Sequence, residues 1–185
     1  MHNPALEERR QTPYTRTAII LHWVMALPII ALLLFGLQTM GGHHARFWPT
    51  LHASAGFSLL AMVIFRLAWR HKNPPPALPQ AMSSTQRVLA GLSHIVLYAA
   101  MILLPLTGWL AFTEHVRRSF GVAPANLFWL VKVPLLPDFG INFHFIHKWG
   151  GKAFLALIAI HILAALKHHF FNRDDVLRHM TRWKR

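Results

Sequence analysis

Long apolar stretches dominate the sequence and constrain its fold more than any other feature. Three of them run over residues 18–40, 48–69 and 88–112. A helix needs roughly 20 apolar residues to cross a bilayer core of about 30 Å, and each stretch is long enough. A fourth stretch, beginning at residue 143 and ending near 169, qualifies only if its histidines and lysines face the protein interior. The sequence therefore predicts an all-α fold, an integral membrane four-helix bundle.

Composition supports a membrane protein and excludes several other classes. Of the 185 residues, 54% are hydrophobic and 14% are charged, which is too apolar for an ordinary soluble domain. This length leaves room for a single domain over residues 1–185. The first apolar stretch lacks a small-residue cleavage pattern, so we expect a membrane helix rather than a signal peptide. The absence of cysteine excludes disulfides, iron–sulfur clusters and covalent c-type haem attachment.

The net charge of +13 is unevenly distributed between the two predicted membrane faces. With four spans, both termini and the second connection share one face. Thirteen of the 19 Lys and Arg residues lie there: Arg9, Arg10, Arg16, Arg66, Arg70, Lys72, Arg87, Lys167, Arg173, Arg178, Arg182, Lys184 and Arg185. Cytoplasmic loops carry such an excess, so we expect both termini in the cytoplasm. The charge thus reflects membrane topology, and nucleic acid is not an expected partner.

The connections between the helices are expected to be short except for the third. The run Gly41-Gly42-His43-His44 predicts a tight outer turn. The run Asn73-Pro74-Pro75-Pro76 predicts an extended inner connection, because proline cannot continue a helix. The third connection, residues 113–142, contains an apolar segment at 125–136 that prolines interrupt. We expect this segment to form a half-buried cap outside the membrane rather than a fifth span.

Two histidines of the fourth helix carry the strongest functional signal. His147 and His161 are 14 residues apart, and 14 steps of 100° fall about 40° short of four full turns. Both rings therefore project from one face, roughly 21 Å apart along the helix axis. His52, near the outer start of the second helix, matches His147 in depth, and His22, near the inner start of the first helix, matches His161.

These matched depths predict two haems, an outer one between His52 and His147 and an inner one between His22 and His161. Neutral imidazole is a good iron ligand, and two axial imidazoles leave no open site, which favours electron transfer over oxygen binding. Membrane histidines also form hydrogen bonds between helices. Four at matched depths, two of them on one helix face, favour haem ligation.

Small residues lie close to the predicted ligands along their helices. Gly56 follows His52 by four positions, and Gly150 and Gly151 follow His147 by three and four. The missing side chains can leave room for a flat macrocycle, or they can serve close helix packing.

Further polar residues lie near the predicted haems. Arg66 shares the face of His52 at the inner depth, where it can pair with a haem propionate or extend to the cytoplasmic surface. His94, near the inner start of the third helix, can contact a propionate, bind a quinone or pack against a helix. Lys152, with Lys148 and Arg46, lies near the outer haem and can bind its propionates or attract an anionic donor.

Several short runs are spread in order over the four predicted helices, from Tyr14 to Met180. They are Tyr14-Thr15-Arg16, Leu21-His22-Trp23, Leu51-His52-Ala53-Ser54-Ala55-Gly56, Arg66-Leu67, Asn73-Pro74-Pro75-Pro76, Ser93-His94-Ile95-Val96-Leu97-Tyr98, and His161 with His168-His169-Phe170-Phe171. Together they resemble the bacterial cytochrome b561 family. The resemblance implies a multi-pass protein of the bacterial inner membrane with two haems b, ligated by the four histidines named above, and ubiquinone as electron acceptor. In the best-known relatives it also implies superoxide oxidation at the outer face.

Two electron donors fit this resemblance. The protein can act alone as a superoxide:ubiquinone oxidoreductase, and a mildly positive outer face suits an anionic donor. Alternatively, it is a cytochrome b membrane subunit that relays electrons between a periplasmic redox protein and the quinone pool, with the third connection as the docking surface.

A haem-free transporter of metal ions or protons is disfavoured, because the predicted spans contain almost no carboxylate.

Overall fold

Four long helices form the protein in the computed structural model, which describes residues 14–37, 47–78, 82–120 and 125–181. They are α1 (Arg16–Gly36), α2 (Phe47–Lys72), α3 (Ser84–Phe120) and α4 (Phe143–Lys167). Each is long and apolar enough to cross a membrane. The predicted all-α architecture with four spanning helices is therefore confirmed, whereas the cytoplasmic location of the termini stays a prediction.

The four helices pack around a small apolar core. Its buried members are Met25, Ile29, Leu59, Val63 and Phe154, with at least one from α1, α2 and α4 and with α3 side chains packed against them. Many other apolar side chains, including Leu27, Ile95 and Leu163, remain more than half exposed. Among the neighbouring pairs, α3 and α4 pack most extensively and α1 and α4 least extensively. An apolar exterior around a thin core is the arrangement that a lipid solvent permits.

Side-chain caps fix where α1 and α4 begin. The Oγ1 atom of Thr15 accepts a hydrogen bond from the backbone N–H of Ala18, and the Oδ1 atom of Asn142 accepts one from Phe145. Each satisfies a backbone donor that the first helical turn leaves free. Helix α1 thus begins two residues before the predicted start and ends at Gly36 rather than at residue 40. The predicted Gly41–His44 turn and Arg46 lie outside the described residues.

The prediction that residues 113–120 belong to a connection is wrong. Helix α3 continues through them to Phe120. Phe112 and Val116, which lie one turn apart on the same face, are buried against Ala53 and the chain around Val133. An apolar face covered in this way stabilises the helix beyond the expected span, because tertiary packing supplies most helical stability.

The apolar segment after α3 begins with a small β-hairpin. Strands β1 (Ala125–Leu127) and β2 (Val131–Val133) are antiparallel, with Leu127 paired to Val131. Phe128 and Trp129 occupy the turn with φ values of 48° and 61°, and the backbone N–H of Phe128 donates to Ser54 Oγ on α2 at 2.7 Å. The segment is therefore a cap and not a fifth span, as expected. We call this side of the bundle the hairpin end and the opposite side the terminal end.

At the terminal end, α4 passes into a π-helical turn, His168–Asn172, and a short helix α5 (Arg178–Thr181) follows. Arg173 ends the turn in a left-handed conformation with φ of 52°. The indole N–H of Trp23 donates to the carbonyl of Met180 at 2.8 Å. This bond ties the last described segment of the chain to α1.

Candidate haem sites

His52 and His147 face each other at the hairpin end of the bundle. Their ring centroids are 6.0 Å apart and their planes are nearly perpendicular, at 88°. Metal–imidazole bonds are about 2 Å long, so two imidazoles bound to opposite sides of one metal ion have centroids roughly 6 Å apart. The structure thus brings together the pair predicted for the outer haem, at a separation that suits axial ligation.

The ring of His147 is oriented by the neighbouring helix α3. Its Nδ1 atom lies 3.0 Å from the carbonyl oxygen of Leu104 and 3.4 Å from Thr107 Oγ1. A carbonyl can only accept, so the hydrogen bond requires the proton on Nδ1. Nε2 is then unprotonated and available to a metal, which is the usual arrangement of a metal-binding histidine and its backbone partner.

Two glycines that spacing along the sequence does not indicate leave the space that the histidine rings occupy. A Cβ atom on Gly108 would lie 2.9 Å from Cε1 of His147, and one on Gly36 would lie 3.3 Å from Cε1 of His52. Only glycine accommodates the observed His147 ring without displacement. Both glycines lie on helices other than those of the histidines, so spacing along one helix could not identify them.

The predicted glycines play different parts from one another. A Cβ atom on Gly56 would meet nothing within 4 Å, so one turn beyond His52 the backbone borders open space. A Cβ atom on Gly150 would lie 3.1 Å from Leu104 of α3. The missing side chain of Gly56 therefore leaves space that suits a macrocycle, whereas that of Gly150 allows α3 and α4 to pack closely.

The ring of His52 contains a buried polar atom that has no protein partner among the described residues. Nδ1 of His52 is buried and makes no hydrogen bond within the described residues. A desolvated imidazole nitrogen without a partner is costly, so a bound group is expected beside this ring. No group of three or more His, Cys, Asp or Glu in the described ranges could hold a bare metal ion. Paired histidines instead suit haem, whose porphyrin supplies the four equatorial nitrogens.

At the terminal end, three histidines come together rather than two. His94 of α3 and His161 of α4 have ring centroids 5.7 Å apart at an interplanar angle of 67°. His22 of α1 interacts electrostatically with both of them. The sequence predicted His22 as the partner of His161 and gave His94 a supporting role. The structure places the ring of His94 against that of His161, and His22 near enough to both for an electrostatic interaction.

Arg66 and Lys152, the two basic residues predicted to contact haem propionates, have different surroundings. Arg66 is half-buried, and its guanidinium donates to Tyr98 Oη at 3.0 Å and to the carbonyl of Ala18 at 3.1 Å. Lys152 is exposed, with its Nζ atom 4.2 Å from the ring centroid of Trp149. Five residues of helix turn Lys152 about 140° away from His147. Its contact with a propionate stays a prediction.

Comparison with known proteins places these features in a family. The family model described as prokaryotic cytochrome b561 matches residues 13–183. Cytochrome b561 homolog 2 of Escherichia coli (strain K12) is 29% identical over 167 residues, 86% of either chain. Cytochrome b561 homolog 1 of the same organism is 28% identical over 176 residues, which cover 90% of this chain and 96% of the relative. The probable superoxide oxidase CybB of Yersinia pestis is 26% identical over 184 residues, with 93% and 97% covered.

Proposed function

Because the chain belongs to the prokaryotic cytochrome b561 family, whose members bind haem b and transfer electrons in membranes, we propose that it carries electrons from superoxide to ubiquinone through two haems b. The observation that carries this proposal is the placement of histidine clusters at opposite ends of one bundle. His147 and His161 lie on the same helix and each faces a histidine of another helix. Two redox centres stacked in this way make a path across a bilayer.

We assign His52 and His147 to the haem at the hairpin end. At the terminal end we assign His22 and His161. Helices α1 and α4 pack against each other less extensively than the other neighbouring pairs, as expected if a macrocycle separates them. Helix α3, which carries His94, packs tightly on α4. His94 then lies beside the haem edge, where it can contact a propionate or a quinone.

The protein's own residues set up the chemistry. Bis-histidine haem b supplies reversible one-electron transfer when bound. Leu104 holds the proton on Nδ1 of His147, which keeps Nε2 directed away from α3 as a ligand. In the net reaction two superoxide ions lose one electron each and leave as oxygen. One ubiquinone takes up both electrons with two protons and becomes ubiquinol.

Two observations support superoxide as the donor. The Yersinia pestis relative is named a probable superoxide oxidase. The described bases at the hairpin end of the bundle outnumber the acids there, which are Glu114 and Asp138; the bases are Arg117, Arg118, Lys132, Lys148 and Lys152. A positive surface steers an anionic donor. We propose that this end faces the periplasm and that the protein lies in the bacterial inner membrane.

The experiment is stopped-flow reduction of the oxidised protein, purified into nanodiscs that contain ubiquinone. A pulse of superoxide should reduce the haems, and ubiquinol should then accumulate. Superoxide dismutase added beforehand should abolish both signals. Reduction by dithionite but not by superoxide would show that the donor is wrong.

A periplasmic redox protein is the alternative donor, and one observation favours it. The side chains of Phe128, Trp129 and Leu130 at the hairpin tip are 45%, 49% and 85% exposed. An exposed apolar tip close to a redox site can serve as a docking surface. A protein that accepts electrons from a periplasmic cytochrome or dehydrogenase, and not from superoxide, would favour this function.

A further inference from the structure

A small cleft that contains two arginines and two tyrosines lies at the terminal end of the bundle, between the ends of α1 and α2 and the middle of α3. It is lined by Tyr14, Ala18, Arg66, Trp69, Arg70, Asn73, Pro75 and Tyr98. Arg66 and Arg70 are one helical turn apart on α2, so their side chains extend from one face. Both are half-buried. The cleft therefore concentrates two positive charges in a partly desolvated place.

The phenol oxygens of Tyr14 and Tyr98 accept hydrogen bonds from arginines, so their own O–H groups remain free to donate to a ligand. Nε of Arg66 donates to Tyr98 Oη at 3.0 Å. The guanidinium of Arg70 lies 5.7 Å from the Tyr98 ring centroid and forms a hydrogen bond with Tyr14. Burial raises the pKa of the Tyr14 phenol, although Arg70 and Arg66 act to lower it. Tyr14 is thus a neutral donor at physiological pH, and the cleft offers donors in excess of acceptors.

Neither arginine forms an ion pair with a carboxylate in the described part of the chain. The acids that do form pairs there bind other partners: Asp174 pairs with His168, Asp175 with Arg178 and Glu114 with Arg118. The fourth described acid, Asp138, accepts from the backbone of Gly140 near the hairpin end. Partly buried cations without a counter-ion are costly. The cleft is therefore built to receive an anion.

The position of the cleft identifies the source of that anion. Arg66 donates to the carbonyl of Ala18, which lies one turn, about 6 Å, from His22 on the same helix. Arg66 interacts electrostatically with His22 and His94, and Arg70 interacts with His94. We propose that Arg66, Arg70, Tyr14 and Tyr98 form an oxyanion site that binds a propionate of the haem held by His22 and His161. This inference rests on the proposed function for the existence of that haem.

A phosphate of an anionic lipid offers the same chemistry, because guanidinium groups bind carboxylate and phosphate alike. The depth of Arg66 favours the propionate. Its guanidinium contacts the backbone of α1 inside the bundle, next to the histidine cluster, whereas lipid phosphates lie at the membrane surface. The experiment separates the two sources.

The test is a redox titration of the purified holoprotein with Arg70→Gln. A positive charge near a haem favours its reduced state. The midpoint potential of the terminal-end haem should therefore become more negative in this variant, and that of the other haem should not move. The component that His161→Ala removes identifies the terminal-end haem. Arg70→Lys should restore the potential in part, and Lys72→Gln, which removes an exposed cation two residues further on, should leave both potentials unchanged.

Bound phospholipid is measured in the same preparations. Unchanged potentials together with a loss of co-purified anionic lipid in Arg70→Gln would overturn the propionate and indicate a lipid phosphate. Unchanged potentials and unchanged lipid would overturn the oxyanion site itself. Both results leave the di-haem proposal intact if two haems are present, whereas a wild-type protein with one haem would contradict the proposed function. If Arg70→Gln fails to assemble, Tyr98→Phe replaces it: this variant keeps both charges and removes one hydrogen-bond donor to the propionate, so the midpoint potential of the terminal-end haem should again become more negative, by a smaller shift, and an unchanged potential would count against the site.

Discussion

Nδ1 of His147 lies 3.0 Å from the carbonyl oxygen of Leu104 on the adjacent helix. Thr107 Oγ1 donates to the same carbonyl at 2.9 Å, so one backbone oxygen orients both side chains. A ring fixed by a backbone atom cannot turn without breaking this hydrogen bond between α4 and α3. The orientation of this proposed ligand is therefore a property of the helix packing.

That packing makes Gly108→Ala a sharp test of the site. The new Cβ atom would lie 2.9 Å from Cε1 of His147, and inserting a methyl group into a packed interior costs typically 1–3 kcal/mol. We expect the variant to lose the hairpin-end haem and retain the other, measured as the haem-to-protein ratio and the low-spin absorption spectrum. Gly91→Ala on the same helix is the matched control, since its Cβ atom would meet nothing within 4 Å. Equal haem contents in the two variants would show that His147 does not need this space.

Replacing the histidines one at a time tests the assignment of two haems. His147→Ala should remove the hairpin-end haem, and His161→Ala should remove the terminal-end haem, because each haem needs its own pair of ligands. The reduced-minus-oxidised spectra should lose different components. Loss of the same component in both variants would contradict the stacked arrangement.

A third test distinguishes His22 from His94 as the partner of His161. We expect His22→Ala to abolish the terminal-end haem, and His94→Ala to retain it with a shifted potential or slower quinone reduction. Absorption spectra recorded during a redox titration report both the haem content and the midpoint potential. They therefore distinguish loss of the terminal-end haem from a shift in its potential. The opposite result would move the ligand from α1 to α3, where the ring of His94 already lies 5.7 Å from that of His161.

A buried hydrogen bond joins the hairpin cap to α2. Ser54 is fully buried, and its Oγ atom accepts from the N–H of Phe128 at 2.7 Å and donates to Thr50. Ser54→Ala should leave the Phe128 donor without this partner and destabilise the cap by about 1–3 kcal/mol. Faster proteolysis within residues 125–133 would report this effect. Ser58→Ala is the control, because that hydroxyl donates to the carbonyl of Ser54 on its own helix, and equal proteolysis would show that the bond between Ser54 and Phe128 is dispensable.

Features that depend on a single helix could be predicted from the sequence. The shared face of His147 and His161 follows from helical geometry, and the structure directs both toward histidines of other helices. The role of Gly108 and the approach of His94 to His161 could not be predicted, because they depend on how α3 rotates against α4. The extension of α3 to Phe120 could not be predicted for a related reason, since Phe112 and Val116 are buried against Ala53 of α2 and the chain around Val133.

The last prediction concerns the donor and the charges around the hairpin end. If superoxide is the donor, the second-order rate of haem reduction should fall as ionic strength rises, since the Debye length shrinks from about 30 Å at 0.01 M salt to about 8 Å at 0.15 M. Lys148 is exposed one residue beyond His147, so Lys148→Gln should slow the reaction severalfold at low salt and little at high salt.

The neighbouring bases are poorer choices for this test, because they already have contacts. Arg118 pairs with Glu114, and Arg117 donates to the carbonyl of Leu136 at 2.6 Å. Lys72→Gln at the terminal end is the matched control for charge removal, and reduction by dithionite controls for haem content. A rate that is independent of salt, in the wild type and in Lys148→Gln alike, would refute electrostatic steering. It would favour a docked protein that delivers electrons through the exposed hairpin tip, because such a donor can rely on apolar contact where superoxide cannot.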